Sequence, residues 1–113
     1  MDQDEVVRLI ARSGLQLRES TRQRQHNQVR FYGQSDRHSV NLGYSEPRGV
    51  FVVDVVFKTP HRDRNLEFAA AFIKLYGGFC PERPTVFVRL EPALSDEPRL
   101  VALLAAYLAV VFG

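Results

Sequence analysis

The sequence predicts an α+β fold: a two-layer sandwich in which an antiparallel sheet of four to five strands packs against helices, in the order α-β-β-β(-β)-α-β-α. Three observations predict it. Apolar residues recur at helical spacing in three separate segments. Short alternating stretches with turn residues between them lie after the first of these, the pattern of consecutive hairpins. The 113 residues are 45% hydrophobic and 25% charged, the size and make-up of one α+β domain spanning 1–113 with a core of its own.

Asp2 to Ser13 reads as a helix. Asp2, Asp4 and Glu5 crowd its positive end, Val6, Leu9 and Ile10 line one stripe, and Gly14 stops it. Leu15 and Leu17, then Val29 and Phe31, then Val40, Leu42 and Tyr44 alternate with polar neighbours as strands. The fourth strand, VFVVDVVFK (50–58), is apolar on both faces and reads as a central strand, because a strand with one wet face would alternate. The connections QSDRHS (34–39) and SEPRG (45–49) have turn chemistry. A second helix starts near Thr59 or Pro60, carries Phe68, Ala69, Phe72, Ile73 and Tyr76 as a stripe, and ends at Gly77-Gly78. TVFVRLE (85–91) is a fifth strand, and Ser95 to Pro98 open the last helix.

That last helix is unusual. Leu100, Leu103, Leu104, Tyr107 and Val111 fill one side, and Val101, Leu108 and Phe112 fall on another. A helix apolar all round is normally buried all round, and a domain of this size has little interior to hide one. The expectation is that part of it meets a second subunit or a partner protein. With its 13 apolar residues, the stretch 100–112 falls short of the ~20 that span a bilayer.

The net charge is +2, but it is unevenly placed. Residues 18–64 hold nine Lys/Arg against five Asp/Glu, while the rest of the chain holds six against eight. Within the basic part, RESTRQRQHNQVRFYG (18–33) sets arginines among glutamines ahead of a short apolar strand. Arg18, Arg22, Arg24, Arg30 and Arg37 form either an arginine-rich rim that meets water or an acidic partner, or, with Phe31 and Tyr32, a grip on RNA or DNA. RGVFVVDV (48–55) begins like the RNA-recognition strand motif but lacks its aromatics.

Other chemistry finds little support. The three histidines, His26, His38 and His61, share no ligand spacing with each other or with Cys80, so no metal pair comes from one element. No nucleophile elbow, phosphate loop or dinucleotide fingerprint occurs, so neither catalysis nor a cofactor is expected. Asp54, on the face shared with Val52 and Val56, reads as a cross-strand ion pair with Arg30 or Arg89. A lone cysteine suits a reducing, cytoplasmic location, and the acidic start MDQDEVVRLI lacks the basic region of a signal peptide.

Several stretches resemble class I type III secretion chaperones and the related YbjN-like proteins. VNLGYSEPRGVFVV (40–53) is similar to their central hairpin, NLEFAAAFIKLYGG (65–78) to their second helix, and VFVRLEPALSDEPRLVALLAAYL (86–108) to their last strand and final helix. The resemblance implies a cytoplasmic homodimer without catalysis that holds a stretch of another protein on apolar surface. This chain departs from the family in its basic pI, near 9.0, and in having no evident second strand after the middle helix unless GGFCP (77–81) supplies it. The expected function is a non-enzymatic protein-binding module of chaperone, adaptor or inhibitor type. Phe68, Phe72, Tyr76, Leu104, Tyr107 and Val111 are the expected partner or dimer surface.

Overall fold

Four strands linked by hairpins, and a fifth returned by a helix, make one antiparallel sheet in the spatial order of the sequence. The computed structural model describes residues 1–25, 28–33, 38–81 and 87–112. The elements are α1 (Gln3–Ser13), β1 (Arg18–Gln25), β2 (Gln28–Tyr32), β3 (Ser39–Ser45), β4 (Val50–Val56), α2 (Arg62–Tyr76), β5 (Phe87–Leu90) and α3 (Glu97–Phe112). The α+β sandwich predicted from the sequence is therefore the observed class.

Local chemistry sets the helix ends. The Asp2 carboxylate accepts the Glu5 amide N–H at 2.9 Å, and Gly14 closes α1 in the left-handed region at φ +77°. Asp96 accepts the Arg99 amide at 3.1 Å and so caps α3. The start of α2 differs from expectation. Its first residue is Arg62, and its N-cap, His61, makes no side-chain cap. Thr59 instead ties the entry down through Asn65. Its amide and hydroxyl both donate to the Asn65 side-chain oxygen at 2.8 Å, while the Asn65 amide nitrogen returns a bond to the Thr59 carbonyl at 3.0 Å. A side chain one turn into the helix thus fixes the segment that leads into it.

Strand placement also differs at the first edge. Leu15 and Leu17 are not a strand; they lie half-buried against the core in the link from α1. The arginine-rich RESTRQRQ is itself β1, with a register shift between Glu19 and Arg24. An edge strand needs no apolar alternation, because it closes only one side of a ladder and polar side chains protect its free edge.

The period of two sorts the strands into two faces. Val29, Phe31, Val40, Leu42, Phe51, Val53, Val55, Val88 and Leu90 point inward and join Val6, Leu9 and Ile10 of α1, Ala69 and Phe72 of α2, and Leu100, Leu103, Leu104 and Tyr107 of α3 in one core. All three helices contribute to this single core, on one side of the sheet. The Tyr107 hydroxyl reaches through it to the sheet backbone, donating to the Val56 carbonyl at 2.8 Å with the Ser39 carbonyl at 3.2 Å.

Candidate functional site

Among the described residues the other side of the sheet has no helical layer. Cross-strand register places its side chains in rows. One row runs Arg18, Tyr32, Ser39, Val56, Phe87; the next runs Arg30, Asn41, Asp54, Arg89. A third holds Gln28, Gly43 and Val52, with Val50 beyond it. Val50, Val52, Val56 and Phe87 are half-buried on this face. Outside β5, Phe79 pairs with Arg89 through two backbone hydrogen bonds of 3.1 and 2.8 Å, so its ring stands beside Arg89, 49% exposed. Within GGFCP, this isolated bridge is the pairing found, and it is not a full strand.

The second row is a polar ladder. Arg89 grips Asp54 with two bonds, Nε to Oδ1 at 2.8 Å and Nη2 to Oδ2 at 3.0 Å, and Gln28 donates to Oδ2 at 3.3 Å. Asp54 is 5% exposed, shut in by these neighbours. The carboxylate is thus a satisfied ion-pair member, as the strand pattern suggested, and Arg89 is the partner. Arg30 donates from Nε to the Asn41 side-chain oxygen at 2.9 Å. Arg18 lies over the Tyr32 ring, 5.3 Å from its centroid.

Three of the six sequence-predicted partner residues are buried in the chain's own core. Phe57 stacks on Phe68 (6.1 Å between centroids) and contacts Phe72 (5.9 Å) and Tyr107 (5.5 Å); Tyr76 lies 4.9 Å from Phe72. Phe72, Leu104 and Tyr107 are buried by the chain's own core and offer nothing to a partner. That corrects the expectation for these three, since the aromatic hub of β4, α2 and α3 uses them up. Phe68, Tyr76 and Val111 remain half-buried at its rim. Leu75, 67% exposed, was not singled out by its position in the sequence. Among the arginines, Arg18 and Arg30 share the uncovered face, Arg22 and Arg24 fall within β1 with their side chains outside the described set, and Arg37 lies outside the described residues.

On the helical side, α3 turns Leu100, Leu103, Leu104 and Tyr107 inward. Its outward side is Ala102, Ala105 and Ala109, all exposed, flanked by half-buried Val101, Leu108, Val110 and Val111. Between α1 and α3 runs an open groove of about 560 Å³ lined by Leu9, Ser13, Pro98, Val101, Ala102 and Ala105, with Arg12 clasping Glu97 across it (2.8 Å). His38 is buried; its Nδ1 accepts the Lys58 amide at 3.1 Å, so that nitrogen carries no proton, and its ring edge meets Phe68. Among the described residues no three His, Cys, Asp or Glu side chains gather where a metal could bind, and no helix is long and apolar enough to cross a membrane.

No family model, curated protein or solved structure matches this chain.

Proposed function

We propose that this protein is a non-enzymatic protein-binding module of chaperone, adaptor or inhibitor type that works as a homodimer. The observation behind this reading is the outward flank of α3. From Leu100 to Phe112 the sequence has no charged residue, yet the helix buries only one stripe, and Ala102, Ala105 and Ala109 meet solvent. Small side chains let a second helix approach to the close end of the 8–10 Å range typical of packed helices. A second copy laid across this flank would cover the groove beside α1 as well. The single cysteine, Cys80, is a free thiol, which suits a reducing compartment such as the cytoplasm. The resemblance to type III secretion chaperones points the same way, and the Phe79 bridge reduces one of the two departures from that pattern.

Light scattering after size exclusion tests the dimer. The native protein should run at twice the chain mass, and Ala102→Glu should shift it to a monomer with its own melting transition intact. A native monomer at micromolar concentration would overturn the dimer.

A further inference from the structure

We infer that His38 is an acid-sensitive latch on the link between β4 and α2: with a neutral ring it ties the link to the start of β3, and with a protonated ring it releases it. The inference goes beyond the protein-binding reading and does not depend on the dimer.

The link is held by two clasps of different chemistry. His38 stands just before β3, 6% exposed, and its Nδ1 accepts the amide N–H of Lys58, two residues past the end of β4, at 3.1 Å. The next residue, Thr59, is fastened the other way, to the Asn65 side chain of α2. A carboxamide keeps its donors and its acceptor across the physiological range, whereas an imidazole changes charge within it. Of the two clasps, the one at His38 is therefore the one that acid can open.

A nitrogen that accepts an N–H has its lone pair in use, so the neutral ring carries its proton on Nε2. Protonation adds a hydrogen at Nδ1, turns the acceptor into a donor, and sets two N–H groups against each other. The bond is lost, and the Lys58 amide is left to find another partner. Burial also disfavours the charged ring, which gives up its water. The neighbours offer that charge little. On the α2 side the ring meets Phe68, with 6.3 Å between centroids, and Arg64 already lies over Phe68, 5.4 Å from its centroid. The link brings two more bases, Lys58 and His61, and α3 brings the Tyr107 hydroxyl, which is engaged with the Ser39 and Val56 carbonyls. Asp63 and Glu67 of α2 are exposed, and Asp36 and Arg37 lie outside the described residues. The folded chain thus prefers the neutral ring. Stability from the latch is whole above the ordinary histidine value, about pH 6.5, and falls as pH drops below it.

Amide hydrogen exchange followed by NMR at about pH 7.5 and about pH 5, corrected for the intrinsic rate at each pH, tests the inference. In the native protein, protection of the Lys58 amide should fall roughly tenfold in acid, while that of Val53, in the central strand, holds. The imidazole nitrogen shifts of His38 should show the proton on Nε2 at the higher pH. In His38→Asn the side-chain oxygen stands near the place of Nδ1 and does not titrate, so Lys58 protection should be the same at both values. The exchange and the nitrogen shifts are read on native protein alone, so the test holds even if the variant folds poorly. Lys58 protection that ignores pH, a proton on Nδ1 at the higher pH, or the same acid loss in a folded His38→Asn would overturn the inference. So would an equal loss at Val53, which would mean that acid opens the whole molecule and not this link.

Discussion

Tyr107 shows how one side chain can join two layers. Its ring packs among Phe57 and Phe72, and its hydroxyl reaches the backbone of β3 and β4. Burial pushes the phenol well above its ordinary range, because the charged form would lose its water. A folded-state value above the unfolded one gives stability that is whole below about pH 10, the ordinary tyrosine value, and is lost as pH rises beyond it. Tyr107→Phe should therefore cost about 1 kcal/mol near neutrality, and its deficit against native protein should shrink above about pH 10. Urea denaturation at stepped alkaline pH reads both effects, and a constant deficit would contradict them. Asp54 makes a second residue-scale case. Removing one member of a buried pair usually costs about 3–5 kcal/mol. The Arg89 side chain is 32% exposed, so water can take up its charge, and Asp54→Ala should cost about 2 kcal/mol. Adding Arg89→Ala to Asp54→Ala should cost less than the two changes do separately, since the first leaves the second without a partner.

At the scale of elements, the link from α2 to β5 depends on Gly78. Its φ is +97°, and a Cβ there would lie 2.7 Å from the Arg89 carbonyl oxygen. The close approach is what lets Phe79 bond Arg89 on both sides. Gly78→Ala should lower stability by about 2–3 kcal/mol, combining a left-handed backbone penalty of roughly 1–2 kcal/mol with a clash against backbone that cannot swing away. Gly14→Ala is the control. It has a similar φ but open space around it, so it keeps the backbone penalty without the clash and its melting temperature should fall by less than that of Gly78→Ala. Elements were legible in the sequence where burial dictated the pattern. The stripe of α1, the inward alternation of β2, β3 and β5, and the inward side of α3 all follow from one dry face. The rest was hidden for physical reasons. RESTRQRQ shows no alternation because an edge strand is held by backbone bonds, so Leu15 and Leu17 took its place in the reading. Asn65 gave no sign that it would fasten Thr59, because a bond from inside a helix back to the link before it has no spacing of its own. Val50, Val52 and Val56 suggested a strand covered on both sides; they lie instead on the face without a helical layer, and that mismatch was the one sequence signal for the candidate site.

At the scale of the whole molecule, the core and the candidate surfaces divide the aromatic and arginine residues between them. Phe57, Phe72 and Tyr107 are consumed by the hub that locks α2 and α3 to the sheet. Arg18, Arg30 and Arg89 are held on the opposite side by ring stacking, an amide and a carboxylate. A dimer built on α3 would use the helical side and leave the opposite side of each sheet out of the contact.

The two borders of the sheet also limit how it can assemble. At one, Phe79 plugs the outside of β5 after a single pairing. At the other, β1 carries three arginines and one glutamate in eight residues, so two such borders brought side by side would set like charges against each other. Lateral growth, strand upon strand from one molecule to the next, is disfavoured where a border is plugged or carries like charges.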